Sequence, residues 1–310
     1  LLCCVPFFVH AVPASDIAVQ VQAPLHAIYE TRQFAPLWLA EGKPTARASQ
    51  AIELLGRAAE DGLDAGDYHL PALQQQLASL QQQPGSDSER AAFDLALSRE
   101  LARYVEHLSV GRVQPRELGL NIDSASQLAR LPQHLQQVLT SEDLSAAIAS
   151  ARPPLPPYAA LRELLPRYRE LAARHPQAPN LPALPGKKLE PGKPWAGSAA
   201  LADWLVVLGD LPAGFVITAL YEGEMVEGVK RFQLRHGLTP DGVIGQQTYA
   251  ALQVSLPQRV QQIELAMERL RWLDDTLRDR RFVLINIPQF TLWAYAPGAQ
   301  PVLQMPVVVG

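Results

Sequence analysis

The sequence predicts a mainly α protein whose C-terminal segment changes to β-strand. Three observations support this fold class: helical periodicity across 15–183, three glycine-separated helices within 198–253, and β-branched and aromatic residues across 282–310. The chain has 310 residues, of which 48% are hydrophobic and 19% are charged. This length is sufficient for two or three domains with cores of their own.

The N-terminal residues are typical of a secretory signal peptide. An apolar run, LLCCVPFFV, is followed by small residues, with cleavage expected after Ala11 or Ala14. We assign 1–14 to a signal peptide remnant, because the initiator Met and a basic first region are missing. Cys3 and Cys4 are the only cysteines, so the exported chain is expected to have no disulfide and no thiolate nucleophile. The run is too short to span a bilayer, and no later segment approaches that length.

The segment 15–183 is predicted to be an all-α scaffold. Residues 45–63 carry an apolar stripe at helical spacing and are closed by a glycine. Residues 141–150 form a further helix. Residues 157–175 form another, which is expected to be kinked or broken at Pro166.

The clearest helix of this scaffold is predicted over 87–111. Asp87 or Ser88 suits the N-cap, and Gly111 lies just past the expected end. Acidic Glu89 in the first turn favours the same start. Its predicted core residues recur at helical spacing: Phe93, Leu97, Leu101, Tyr104 and Leu108.

The scaffold shows no cluster of catalytic or metal-ligating residues in its sequence. The stretch 61–64 lacks the alternating oxygen ligands of a calcium loop and is predicted to be a helix stop and turn. We therefore expect no cofactor and no metal. A net charge of −4 and a pI near 6 argue against a nucleic-acid partner. The histidines are scattered without ligand spacing: His26, His69, His107, His134 and His175.

A proline-rich stretch, 184–197, is predicted to be an extended linker. The block 198–253 that follows contains helices separated by glycines. Asp241 and Gly242 are expected to form a tight turn, and Gly245 to allow a close approach before the last helix. The three helices are predicted at about 199–208, 224–236 and 245–252.

VKRFQLRHGL (229–238) followed by DGVIGQQTYAAL (241–252) resembles the peptidoglycan-binding domain, a small three-helix module of bacterial wall enzymes. The domain is assigned to 198–256. The resemblance implies peptidoglycan as the partner, with glycan or stem peptide in a shallow groove near the turn. The same residues also suit a purely fold-specifying role, and both interpretations stay open. The candidate contacts are Arg235, Asp241, Gly242 and Gly245.

After this block the sequence predicts a connecting helix over 257–281 and then β-strands. Residues 282–295 and 301–310 are rich in β-branched and aromatic types, and 296–300 is a turn. Strands that begin this late predict the opening of a β-rich domain.

RVQQIELAMERLRWL passing into RRFVLINIPQFTLWAY and VLQMPVVVG resembles the entry to the catalytic domain of L,D-transpeptidases. YETRQFAPLWL, AAEDGLDAGDYHL and LARYVEHLSVGRVQPRELG resemble the helical scaffold domain of their large periplasmic members. The resemblance implies a scaffold domain over 15–183 and the start of a catalytic domain over 282–310. It also implies localisation in the periplasm. Members of that family use a Cys thiolate in a Ser-His-Gly-Cys setting to cross-link stem peptides.

None of those catalytic residues can be placed on this sequence. It contains no Ser-His-Gly-Cys, no cysteine after Cys4 and no histidine after His236. We therefore expect the N-terminal part of an L,D-transpeptidase, truncated before its catalytic Cys and inactive as given. Two alternatives are a catalysis-free wall anchor and the non-catalytic part of a wall hydrolase. The gene sequence beyond Gly310 would separate them; stem preference and oligomeric state stay open.

Overall fold

The computed structural model is mainly α, which confirms the predicted fold class. It describes residues 14–21, 25–217, 220–273, 277, 279–286 and 291–308. The predicted signal peptide lies outside the described residues except for Ala14. The described residues fall into two compact units. The first takes those up to Arg162 and those within Glu264–Thr276, and the second takes the rest.

The first unit is built from helices joined by short turns. Single turns of 3-10 helix lie at Ala58–Asp61, Ala65–Tyr68 and Pro115–Leu118. In chain order the elements are α1 (Ala14–Gln20), α2 (His26–Thr31), β1 (Leu39–Ala40), β2 (Lys43–Pro44), α3 (Ala46–Gly56), α4 (Leu70–Gln82), α5 (Asp87–Ser109), α6 (Ala125–Thr140), α7 (Leu144–Ser150) and α8 (Pro156–Arg174), of which α8 continues into the second unit.

The second unit contains the three helices that the sequence predicts between 198 and 253. A three-stranded antiparallel sheet lies at its C-terminal end. Its elements are β3 (Lys193–Pro194), α9 (Ser198–Leu208), β4 (Leu220–Tyr221), α10 (Glu224–Arg235), α11 (Gln246–Leu252), α12 (Leu256–Arg271), β5 (Phe282–Asn286), β6 (Thr291–Ala296) and β7 (Gln300–Pro306); the second half of α12 belongs to the first unit.

α5 is the central helix of the first unit, and its N-terminus is fixed by a capping box. The backbone N–H of Ser86 donates to Glu89 (2.7 Å), and the backbone N–H of Glu89 donates to the Ser86 hydroxyl (3.2 Å). The predicted N-cap, Asp87 or Ser88, is therefore wrong by one or two residues. Ser86 is the N-cap because, of these three residues, only Ser86 is followed three positions later by a Glu, which completes the capping box. The predicted core stripe of this helix is buried along its whole length.

The predicted helix over 45–63 is divided into two pieces. α3 ends at Gly56, where the chain tightens, and a turn of 3-10 helix follows before Gly62 closes it at φ 68°. α8, by contrast, continues through Pro166, so the helix is not broken there, while the alternative of a kink at this proline stays a prediction. A proline removes one backbone donor, and burial of the neighbouring Leu165 and Tyr168 holds the helix on both sides.

A buried carboxylate, Asp94, joins the chain before α3 to α5. It accepts hydrogen bonds from the Tyr29 hydroxyl (2.6 Å) and from the backbone N–H of Trp38 (2.8 Å) and Leu37 (3.1 Å). Ser98, one turn further along α5, accepts from the Trp38 indole (2.8 Å). Burial raises the pKa of Asp94, and these donors oppose that rise.

A second carboxylate, Asp61, is fully buried at the end of the 3-10 turn after α3. Arg152 donates to both of its oxygens (2.8 and 3.0 Å), and Arg162 lies 3.2 Å from one of them. Tyr104 (3.1 Å) and Tyr158 (3.2 Å) donate from their hydroxyls. We call these five residues the Asp61 cluster. The expected turn is present at Gly62. The sequence did not indicate that the neighbouring carboxylate of Asp61 would be buried and bonded by several side chains of the first unit.

The last turn of α12 packs in the first unit through Arg271, which is 1% exposed. Its guanidinium donates to the backbone carbonyl of Asp61, to the Tyr158 hydroxyl (3.1 Å) and to Glu268 (2.7 Å). Glu268 in turn accepts the backbone N–H of Arg112 (2.7 Å). α12 ends at Arg271, so this helix is shorter than the predicted connecting helix over 257–281.

The C-terminal strands form the sheet β5–β6–β7, with Phe282 opposite Tyr295 and Thr291 opposite Pro306. The rings of Phe282 and Tyr295 stack with centroids 4.6 Å apart. Every residue of β7 is exposed, and a bulge interrupts its pairing with β6. The predicted strands are thus present as a small sheet within the part of the chain that the structure describes.

Candidate functional site

The turn between α10 and α11 is built around Asp241. Its carboxylate accepts the backbone N–H of Val243 (2.9 Å) and the side-chain amide of Gln233 (3.1 Å). The first bond closes an Asx turn, which explains why an acidic residue suits this position. Asp241 therefore shapes the loop, while its possible contact with a ligand stays a prediction.

Gly242 packs directly against α10. Its φ is 75°, and a Cβ at this position would lie 2.6 Å from Val226 and 3.3 Å from Lys230. Its carbonyl accepts the Tyr221 hydroxyl (2.6 Å). Both the backbone conformation and the packing therefore require glycine here.

Gly245 does not make the close approach that the sequence suggests. Its φ is −83°, and a Cβ would meet no atom within 4 Å. It is the N-cap residue of α11, a position that glycine tolerates well. That prediction is wrong because the turn makes its close approach three residues earlier, at Gly242.

Gln233 holds the turn to α10, and the sequence analysis did not single it out. It is 1% exposed, and its amide nitrogen lies within hydrogen-bonding distance of Asp241 (3.1 Å), Val243 (2.9 Å) and Thr248 (3.2 Å). Its carbonyl accepts the backbone N–H of Gly242 (2.8 Å). A polar residue on the apolar face of the predicted helix was the available signal, because a buried amide needs such partners.

The predicted linker, 184–197, is extended and packs against the helices that follow it. Leu189 and Ile244 exchange both backbone hydrogen bonds at 3.0 Å. The Trp195 indole donates to the carbonyl of Ala183 (3.0 Å), and β3 pairs with β4. The three-helix module therefore includes a covering segment that precedes its first helix.

Arg235 joins a different set of contacts from the turn residues. It forms an ion pair with Asp210, donates to the Tyr168 hydroxyl (2.9 Å) and lies over the Phe232 ring at 5.6 Å. Asp210 is 5% exposed, and burial raises its pKa while the positive charge of Arg235 opposes the rise. Arg235 thus has different bonding partners from the other three residues that are predicted to contact the ligand.

Gly228 allows α10 to lie close to the chain after α9. A Cβ there would lie 3.0 Å from Leu211 and 3.2 Å from the backbone carbonyl of Asp210. An interior helix glycine costs about 1 kcal/mol relative to alanine. Close packing explains why glycine occupies this position despite that cost.

A groove of about 460 Å³ lies between α9 and the chain that follows α8. Trp204 and Val207 form apolar walls, and Asp203, His175 and Asn180 add polar groups. Its size suits a small ligand, but its walls do not indicate which class.

Within the described residues, no group of three or more His, Cys, Asp or Glu side chains is arranged to hold a metal ion. No helix there combines the length and the apolar character that crossing a membrane requires.

Comparison with known families gives two matches. Residues 23–165 match the family described as "Scaffold domain", and residues 199–252 match the one described as "Putative peptidoglycan binding domain". A comparison with curated proteins gives no match. The chain therefore carries a Scaffold domain of the kind found in L,D-transpeptidases, followed by a peptidoglycan-binding domain.

Proposed function

We propose that this protein attaches to bacterial peptidoglycan through the module of residues 199–252. The observation that carries the proposal is the family match over the three helices α9, α10 and α11. The helices meet at a turn that Gln233 and Gly242 hold in place. A turn that is held in place in this way is suited to form one side of a shallow groove for glycan or stem peptide.

We further propose that the protein forms the non-catalytic part of a periplasmic L,D-transpeptidase. The order of the two matched domains supports this assignment, because the resemblance predicts a scaffold before the binding module. The antiparallel strands β5, β6 and β7 follow the module, as the resemblance also predicts. Since the only cysteines are Cys3 and Cys4, the 310-residue chain itself is expected not to cross-link stem peptides.

The wall-binding proposal is tested by sedimentation of the full chain with purified sacculi. We expect the wild type to pellet with the wall in a saturable manner. Gly242→Val should abolish pelleting, since a β-branched residue at φ 75° would also clash with Val226. Strain and overpacking together are expected to cost roughly 3–5 kcal/mol, enough to unfold the module. Hydrogen exchange in α5 reports whether the first unit stays folded.

Gly186→Val is the matched control. A Cβ at Gly186 meets no atom within 4 Å, and no positive φ is imposed there, so pelleting should equal that of the wild type. Two results contradict the proposal: a wild type that stays in the supernatant at high wall concentration, or a Gly242→Val chain with an unfolded module that still pellets.

A further inference from the structure

Three arginines lie around Asp210 in the second unit, and one of them, Arg235, contacts its carboxylate. Arg167 lies on α8, Arg231 and Arg235 lie on α10, and Asp210 lies just after α9. The positive charges of all three act on the Asp210 carboxylate. We call Arg167, Arg231 and Arg235 the arginine patch.

The patch uses only part of its hydrogen-bonding capacity. Arg235 pairs with one oxygen of Asp210. Arg231 donates to the backbone carbonyl of Asp210 (2.9 Å) and to Glu224 (2.7 Å). Arg167 donates to the last backbone carbonyl of α9 at 3.4 Å, a long and weak contact. Each guanidinium carries five N–H donors, so several remain available on every member.

The carboxylate of Asp210 is buried, whereas the three arginines of the patch are exposed. The Asp210 side chain is 6% exposed, whereas Arg235 is 36% and Arg231 is 47% exposed. Three positive charges therefore meet two negative ones, those of Asp210 and Glu224. The arginines here thus outnumber the carboxylates that they contact, although the whole chain carries a net charge of −4.

Arg259 adds a fourth cation beside the patch. Its guanidinium donates to Gln262 (2.9 Å) and to the carbonyl of Ala251 (2.7 Å), neither of which is charged. Burial lowers the pKa of Arg259, and the charge of Arg235 lowers it further. Repulsion between these like charges would be relieved by an anion bound from solution.

We propose that the arginine patch binds a carboxylate of the peptidoglycan stem peptide. This inference rests on the proposed wall binding and specifies which part of the polymer is recognised. The acetylated sugars of the glycan are uncharged, whereas stem peptides carry free carboxylates. Arginine is the side chain best suited to a carboxylate, because its planar fork can donate two parallel hydrogen bonds.

The test compares the full chain on intact sacculi and on sacculi whose carboxylates have been converted to methylamides. The wild type should bind the intact form roughly 5- to 30-fold more tightly, the value expected for one or two hydrogen bonds with a net contribution of about 1 kcal/mol each. The double variant Arg167→Gln/Arg231→Gln should lose this preference and bind both forms alike. Arg235 is left unchanged because it pairs with buried Asp210.

Arg174→Gln/Lys188→Gln is the matched control for the loss of two positive charges in the same unit. Arg174 pairs with Glu170 and Lys188 with Glu190, and all four side chains are exposed. This control should keep the wild-type preference. A patch variant that keeps the preference overturns the inference, as does a wild type that binds both forms equally. A wild type that binds neither form overturns the wall-binding proposal itself.

Salt dependence provides a second measurement in case the double variant folds poorly. Binding of the wild type to intact sacculi should weaken as NaCl rises, while binding to the methylamide form should change little. Equal salt dependence on both forms would contradict a carboxylate contact.

Discussion

Asp61 and Asp210 are both carboxylates surrounded by arginines, and each belongs to a different unit. Around Asp61, Arg152 donates to both oxygens, Tyr104 and Tyr158 donate one hydrogen bond each, and Asp61 itself is fully buried. Around Asp210, Arg235 pairs with a single oxygen, and the side chains of Arg235 and Arg231 are 36% and 47% exposed. The same pair of residue types thus forms a buried network in one unit and, in the other, a network whose carboxylate is buried while its arginines are exposed.

The difference indicates what each network can do. A buried carboxylate whose oxygens are both hydrogen-bonded is closed to a ligand, and breaking its ion pairs leaves charge without compensation. A pair at the surface contributes less stability, but its free donors remain accessible. We therefore expect substitutions in the Asp61 cluster to change folding and substitutions around Asp210 to change binding.

Asp61→Asn tests the first half of this comparison and should have the largest effect. The substitution removes the charge that Arg152 and Arg162 share and places amide hydrogens against their donors. We expect a loss of about 3–5 kcal/mol in the free energy of unfolding of the first unit. Chemical denaturation, with hydrogen exchange in α5 as the reporter, measures it.

Glu53→Gln is the control for Asp61→Asn, because Glu53 is an exposed carboxylate on α3. Its substitution should change the free energy of unfolding by less than about 0.5 kcal/mol, the usual range for surface positions. If Asp61→Asn costs no more than this control, the cluster is not the structural centre that its contacts indicate.

Asp210→Asn tests the second half and should have a smaller effect on stability. Burial raises the pKa of Asp210, so removing its charge recovers part of the desolvation cost while Arg235 loses its ion pair. We expect a net loss of about 1–2 kcal/mol in the second unit. Binding to intact sacculi should become tighter, roughly 2- to 5-fold, because Arg235 is then free for the stem carboxylate.

The result of Asp210→Asn can break the comparison in two ways. A loss in the free energy of unfolding as large as that of Asp61→Asn would mean that Asp210, like Asp61, mainly stabilises the fold. Weaker binding, with the module still folded by hydrogen exchange in α10, would mean that Asp210 positions the arginines and does not compete with the ligand.

Much of the fold could be predicted from the sequence because it depends on local patterns. The stripe of α5 and the three helices of the second unit follow from apolar spacing and from glycines at their ends. The N-cap at Ser86 and the division of the 45–63 helix were missed, because they depend on one side-chain contact and one tightened turn. The prolines of the linker did not reveal that Leu189 pairs with Ile244, a contact between distant positions.

The candidate site was less predictable for the same physical reason. Asp241 and Gly242 follow from turn chemistry, which is local. Gln233, Asp210 and the position of Arg235 depend on which helices meet, and sequence spacing does not contain that information. A polar residue on an apolar helix face, such as Gln233, is the one signal that could have been used.

Two histidines, one in each unit, extend the comparison to the dependence of stability on pH. Burial lowers the pKa of His107 in the first unit and of His236 in the second to about 4, from an ordinary value of 6.5. The unfolded chain takes up a proton below about pH 6.5, while the folded chain stays unprotonated at these rings until about pH 4. Stability therefore falls as the pH decreases through this window, by the same linkage in both units.

The loss is measured as the free energy of unfolding of the wild type against His107→Gln and His236→Gln between pH 7 and pH 4. Each ring is expected to contribute roughly 1–3 kcal/mol of pH-dependent loss, less than the full shift implies because neither ring is completely enclosed. Both residues are partly buried, and each ring has a hydrogen-bonding partner: the Tyr68 hydroxyl for His107 (2.9 Å) and the Phe232 carbonyl for His236 (2.8 Å). Unlike the two carboxylates, the two histidines should respond alike. A wild-type minus variant difference that stays constant with pH at either position would show that the ring is solvated there.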